Sequence, residues 1–516
     1  MTATDDRPHA VSTRRVSSMT LWTVWRGVAR LAMVIALAGC ASLSVTDTVP
    51  LKASQLNPPG SDSISVDGYR LSELTGHNDT PDMLILVAFS GGGKRSAAFA
   101  YGALKGMREV MIDTRNGPRP LLDELDGISG VSGGSFTAAY YGLYRDEAFG
   151  RYEKDFLYRD TNANIFGIYL LPWNWNWLVN PDVGTNDFME RVYDRTMFHG
   201  ATFKDLQAKG LPIIAIGATD LSYGNPFLFV QEVFDVICSD LNAFPVARAV
   251  AASNGFPGLF SAVTLTNRAA ACEGRQPAWR QRISDAELED PFSRLGVQAR
   301  SLDRYLDPQQ TKFVHLADGG ISDNLGLRIA GSMMQNLSLS PDDLTRLGLD
   351  RFRRILVLSV DGQGAQDTSV ARRRATGGLL SIFGLVSGGQ IDRFNFESLI
   401  TVRQQVRELG RALKAARCAR GPLVDGAKCD DVRTDLIQVS LTGMPAGPEK
   451  ERLQAIPTGL TINRADVDLL VAAGQTAITS SGPLREFLQS YPVAEPTPAG
   501  TQRVEGSVTR TAAGGG

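Results

Sequence analysis

Histidine is scarce in this 516-residue sequence: His9, His77, His199 and His315 are all there is. A centre built on several imidazoles has too few candidates. Cysteine is nearly as rare, with five residues and no C-x-x-C pair, which argues against a thiolate zinc site. Neither sign of charge dominates, since 53 Lys and Arg stand against 55 Asp and Glu for a formal charge of −2. No electrostatic footprint calls for a nucleic-acid partner. No period of 20–50 residues repeats, which excludes solenoids and propellers. No apolar run is long enough for a permanent membrane span; LAMVIALA, near the N-terminus, is the main candidate and is far too short.

That short run has another reading. Arg14, Arg15, Arg26 and Arg30 precede it and Gly39-Cys40-Ala41 follow it, the layout of a secretory signal. Met19 offers an alternative start with a more typical leader. LAGC at 37–40 resembles the bacterial lipobox, which makes Cys40 the expected first mature residue and the site of lipid attachment. Cleavage at Ala36-Leu37-Ala38 is the alternative. Removing Cys40 leaves Cys238, Cys272, Cys418 and Cys429, an even set that in an exported chain fits disulfides. The sequence-local pairing is 238–272 with 418–429; buried free thiols are the other possibility. The expected location is the bacterial cell envelope, facing the periplasm, with the outer membrane favoured because Ala41 replaces the aspartate often linked to inner-membrane retention.

Along the chain, residues 1–39 read as the leader, 40–80 as a polar tether, 81–365 as the main domain, 366–490 as a helical or cap extension of it, and 491–516 as a disordered tail. The main domain alternates strand-like runs, MLILVAF (83–89), DGIS (126–129), LPIIAIGATD (211–220), FLFV (227–230), KFVHLAD (312–318) and RILVLSVDG (354–362), with helical ones near 96–110 and 134–145. Several strands are apolar on both faces. The pattern is that of an α/β fold, a mainly parallel sheet flanked by helices.

Two glycine loops follow strands. FSGGGKRS fails as a Walker A loop, because Arg95 follows Gly93-Lys94 and Ala88 occupies the earlier glycine position. It also fails as a dinucleotide fingerprint, with Ser96 in place of the third glycine. Forty residues on, Gly130-Val131-Ser132-Gly133-Gly134 is a G-x-S-x-G between a strand and a helix, the form of a nucleophile elbow. Such a serine needs an oxyanion hole and a base. A third landmark, VHLADGGISDN, ends a strand. His315 and Asp318 are three apart, so on a regular strand they point to opposite faces and cannot both serve one serine. Asp323-Asn324 lacks the spacing of a calcium loop, and no metal or cofactor is expected.

SGGGKR, GVSGG and DGG, in that order on an α/β pattern, resemble the patatin-like phospholipases over roughly residues 82–330. The resemblance implies a catalytic domain over 81–365 with a nucleophile elbow. It implies a Ser–Asp dyad of Ser132 and Asp318, and an oxyanion loop of Gly91, Gly92, Gly93 and Arg95, with Gly92 and Gly93 as the amide donors. Ser96 departs from the family's frequent glycine. The implied activity is phospholipase A or lysophospholipase chemistry on phospholipid or another lipid ester, at a membrane reached through Cys40. Rival readings are a Ser-His-Asp esterase using His199 or His315, and a non-catalytic lipid-binding or scaffolding lipoprotein. Trp173, Trp175 and Trp177 suit either an interfacial patch or a domain seam. LLSIFGLVSGG suits either a mobile cap or a buried helix start.

Overall fold

The computed structural model describes residues 46–491 except 53–54, 57–67, 72–79, 115, 164–169, 171–182, 278, 329–340, 347, 365–370, 373 and 375–378. Cys40 and the leader, His77, the three tryptophans of 173–177 and the tail after 491 lie outside the described residues.

An eight-stranded mixed sheet forms the centre. Its strands are β1 (Met83–Phe89), β2 (Gly127–Val131), β3 (Ile213–Asp220), β4 (Pro226–Phe229), β5 (Val263–Thr266), β6 (Phe313–Asp318), β7 (Arg354–Asp361) and β8 (Arg433–Ser440). The order is β8-β7-β1-β2-β3-β6-β5, with β4 also paired to β3. From β8 to β3 every pairing is parallel; β4, β6 and β5 join antiparallel. β1, β2, β3 and β7 are buried at every residue, as strands covered by helices on both faces must be.

The helices that matter here are α1 (Gly93–Glu109), α2 (Gly133–Tyr144), α3 (Thr185–Tyr193), α4 (Val246–Ser253), α5 (Leu379–Arg420) and α6 (Arg464–Thr479). α1 and α2 each spring from the carboxyl end of a central strand. The LLSIFGLVSGG stretch enters α5 at Leu379, and its side chains up to 387 lie outside the described residues.

One detail of register places the site. Ile216 and Gly217 of β3 pair with β2 and β4 at once, while Ala218 and Thr219 pair with β4 and β6 at once. A strand has only two edges, so β6 occupies the edge that β2 vacates at Val131. β6 therefore comes down head-on against the end of β2, and its last residue, Asp318, arrives opposite Ser132.

Two expectations change. Residues 46–52, expected within a tether, are docked on the domain: Asp47 accepts hydrogen bonds from the Thr266 amide and pairs with Arg268. Leu51 packs against Cys238 and Cys272. The stretch read as a helical extension supplies the outermost strand, β8, and α6. The backbones of α6 and α1 approach so closely that a Cβ on Gly102 would lie 2.0 Å from the Val471 carbonyl oxygen. RTDLIQVS escaped notice because it is an edge strand that opens on three polar residues and is only half-buried, without the continuous apolar run of the central strands. Disulfides join Cys238 to Cys272 and Cys418 to Cys429.

Candidate active site

Ser132 stands between β2 and α2 at φ 50° and ψ −120°, a left-handed conformation that is strained for any residue but glycine. Local bonds hold it there. The Ser132 amide donates to Ser253 Oγ at 2.9 Å, and that hydroxyl donates to the Gly217 carbonyl at 2.6 Å. The Ser132 carbonyl accepts from the amide and the hydroxyl of Ser135. Space is equally fixed: a Cβ on Gly133 would lie 2.0 Å from the Gly93 carbonyl oxygen. The elbow and the glycine loop are thus in backbone contact.

Ser132 Oγ donates to Asp318 Oδ2 at 2.8 Å. The other carboxylate oxygen accepts from the Gly320 amide at 2.8 Å. Asp318 is anchored through its own backbone, donating to the Gly255 carbonyl and accepting from Thr219 Oγ1. Burial raises its pKa to about 6, against the lowering effect of the Gly320 amide and the Ser132 hydroxyl. The carboxylate is therefore ionised at neutral pH yet a stronger base than an exposed aspartate.

Asn254, which sequence reasoning missed, places its carboxamide 3.3 Å from Ser132 Oγ and 3.4 Å from the Tyr193 hydroxyl. As placed, its Oδ1 faces Ser132. A serine hydroxyl has one proton, and that proton goes to Asp318. Turning the amide over gives a consistent count: Tyr193 donates to Oδ1 and Nδ2–H donates to Ser132 Oγ. The Tyr193 pKa lies far above its ordinary value because the ring is buried, so its proton is available to give. The only sequence signal was an asparagine at the end of a helix-like run, SNGFPG, and it did not point to Ser132.

The glycine loop splits into two parts. The Gly91 amide donates to the Asn324 carbonyl at 2.8 Å, so it is committed and does not serve an oxyanion. Among the described residues, the amides of Gly92 and Gly93 have no protein acceptor. They open α1, where the helix dipole favours negative charge. Gly92 at φ 135° is a position that only glycine holds without strain.

Arg95 faces inward. Its guanidinium donates to the carbonyls of Gly362 and Ile456, and burial lowers its pKa to about 10 against the pull of Asp361. Lys94 likewise turns in, donating to the Arg159 carbonyl and lying 5.0 Å from the Phe156 ring centroid. Burial lowers it to about 8, opposed by Asp160. Ser96, the departure from the family pattern, bonds the Ser90 carbonyl at 2.6 Å. Gly362 is matched to it, because a Cβ there would meet the Ser96 Cα at 2.6 Å.

Of the described histidines, neither bonds Ser132 or Asp318. His315 Nδ1 bonds Thr264 Oγ1, its neighbour on β5, at 3.0 Å, and its three-residue offset from Asp318 puts it on the other face of the sheet. His199 caps a helical turn at φ 51°.

The sequence profile described as patatin-like phospholipase matches residues 87–330. Among solved structures, human GIVD cytosolic phospholipase A2 aligns at 14% identity and a TM-score of 0.41, over 81% of this chain and 65% of that one. Its complex with methyl gamma-linolenyl fluorophosphonate aligns at 14% identity and 0.37, over 87% and 70%. This chain thus spans a little under two thirds of the length of the first of these structures. No curated protein sequence matches the chain.

Two outcomes are expected of this geometry. A buried carboxyl whose folded pKa exceeds its unfolded value binds more protons folded than unfolded, so its contribution to stability is present at low pH and lost as pH rises through about 6. Asp318→Asn escapes this loss. Its stability relative to wild type, from urea denaturation, should rise by roughly 2 kcal/mol between pH 4 and pH 8. For Asn254, the Asp and Leu variants both lose the N–H, while Asp keeps an acceptor. If the amide donates, both should slow phosphonylation of Ser132 by a fluorophosphonate, by about 10²-fold. Unimpaired labelling of Asn254→Asp would show that the acceptor matters instead.

Proposed function

The chain belongs, through residues 87–330, to the patatin-like phospholipase family, and on that premise we propose that it is a serine-dependent lipid acyl hydrolase. The observation that carries this reading is the 2.8 Å hydrogen bond from Ser132 Oγ to a buried, basic Asp318. Asp318 takes the Ser132 proton as Oγ attacks the ester carbonyl carbon. The amides of Gly92 and Gly93 hold the resulting oxyanion, and the Asn254 N–H supports Oγ as its charge develops. Collapse breaks the bond to the alcohol, which leaves as a lysolipid or glyceride carrying the proton back from Asp318. Water then attacks the acyl-enzyme, with Asp318 again as base, and a fatty acid leaves. Each proton that departs in one half-reaction returns in the other.

A carboxylate near pH 6 suits this work. It stays mostly ionised at neutral pH while its basicity lies closer to that of the groups it must deprotonate. The esterase alternative would need an imidazole at Ser132, and the bond of His315 to Thr264 offers it no support.

The substrate proposed is a phospholipid or another lipid ester. The enzyme would reach it from a lipid on Cys40, in the cell envelope and facing the periplasm; the outer membrane is the site favoured by the residue after the cysteine. The lipobox-like LAGC supports this anchor.

Incubating wild type and Ser132→Ala with mixed phospholipids and neutral lipids, then identifying released fatty acids and lysolipids by mass spectrometry, tests the reading. Release by wild type alone is expected, with kcat/KM falling about tenfold per pH unit below the Asp318 pKa. Identical product profiles from the two proteins would overturn it, and abolition of release by His315→Ala would favour the esterase.

A further inference from the structure

If Cys40 carries lipid, as proposed above, the tether is far shorter than its composition suggests. Asp47 already belongs to the folded domain, held to Thr266 and Arg268, and Thr48 Oγ1 donates to the Thr266 carbonyl at 2.8 Å. Pairing of the next residues with the loop before α4 continues the clasp, through Leu51 N–H to the Cys238 carbonyl and Asp240 N–H to the Val49 carbonyl. Six residues, and so seven Cα–Cα steps, separate Cys40 from Asp47. Fully extended they reach about 25 Å.

Register shows where that leash is attached. Thr266 pairs with Phe313, at the start of β6, and Asp318 at its end pairs with Ala218. Phe313 is thus five strand positions, about 17 Å, beyond the level of Asp318 and Ser132. It lies on the side of the sheet to which the parallel strands point. The antiparallel β5–β6 pair stands above the active site, with the N-terminal clasp at its outer end. From that outer end to the opposite end of the sheet, five further positions down β3 to Ile213, is about 34 Å. A 25 Å leash does not let the far end of the sheet rest on the bilayer.

The same end carries exposed apolar side chains. Val49, Leu221, Leu259, Phe313 and Ile321 are each between 39% and 55% exposed. Leu221 donates its amide to the His315 carbonyl on β6, and Ile321 follows Gly320, which binds Asp318. Leu259 lies in the turn begun by Asn254 and Gly255. Exposed Lys312, next to Phe313, adds a charge suited to anionic headgroups.

We propose that the active-site end of the sheet, rimmed by Val49, Leu221, Leu259, Phe313 and Ile321, lies on the lipid surface that holds Cys40: the six-residue leash excludes the inverted orientation, and the exposed apolar side chains at this end supply the contact with lipid. The anchor then serves to orient the domain as well as to retain it.

Hydrogen exchange on the full-length, lipid-modified protein tests this, in vesicles of phosphatidylethanolamine and phosphatidylglycerol, against Cys40→Ala protein free in buffer. Amides in 221–224, 256–260 and 319–323 should slow by about tenfold on vesicles. The Leu259→Asp, Phe313→Asp double variant should lose that slowing while keeping its lipid mass on Cys40. Protection confined to the opposite end, around 121–126 and 209–212, or protection nowhere, would overturn the proposal. So would an unmodified Cys40 by mass spectrometry, which would leave the hydrolase reading intact. The exchange pattern needs no turnover, so a correctly oriented but inactive protein would count against the hydrolase reading alone.

Discussion

A serine hydroxyl and an aspartate carboxylate, 186 residues apart in sequence, share one proton across 2.8 Å in a buried place. The contact exists because β6 enters the sheet on the edge that β2 leaves free, so the end of one strand faces the end of the other. Burial of the carboxylate then raises its basicity. One topological choice supplies both the proximity and the pKa. A parallel strand at that position would put the carboxylate of its last residue at the wrong height, and a solvated site would leave an ordinary aspartate, weakly basic and screened by water.

Around that contact the molecule spends its packing on holding backbone still. The Ser132 conformation is maintained by Ser253 and Ser135, and the glycine loop by Asn324. Arg95 ties the start of α1 to the end of β7 and to the segment before α6, Ser96 ties it to the end of β1, and the Lys94 side chain ties it to the Arg159 carbonyl. The Lys94 amide itself donates to the Gly459 carbonyl at 2.9 Å. The C-terminal third is therefore part of the active-site support. Asn324 extends the network further, through Gln363 to Asp392 and Asn395 on α5. Amides already fixed in direction need little reorganisation when charge develops beside them, which is where most of the benefit of an oxyanion site arises.

Much of this was legible in the residues. Predominantly apolar runs such as MLILVAF and IIAIGATD announce strands buried on two sides, and the glycines at 91–93 and 133–134 announce backbone contacts that tolerate no side chain. The three-residue offset of His315 from Asp318 separates their roles before any coordinates are known. What sequence could not convey depends on distance. Nothing local in SNGFPG connects Asn254 to a serine 122 residues earlier. Arg95 reads in sequence as part of the oxyanion loop, and only the fold brings its guanidinium to two distant carbonyls. The polar run after Cys40 has the composition of a linker, yet Asp47 and Thr48 find complementary partners on β5, a strand whose four alternating residues, VTLT, are too few to stand out in sequence.

The central claim is that burial makes Asp318 the base for Ser132. Its most direct test is titration of the Asp318 carboxyl itself, followed by carbon-13 NMR in labelled wild type and in Ser132→Ala. A pKa of about 6 is expected in wild type, rising in the variant as the donated hydrogen bond is lost. Titration near the ordinary aspartate value of ~3.9, unchanged by removal of the serine hydroxyl, would contradict the account.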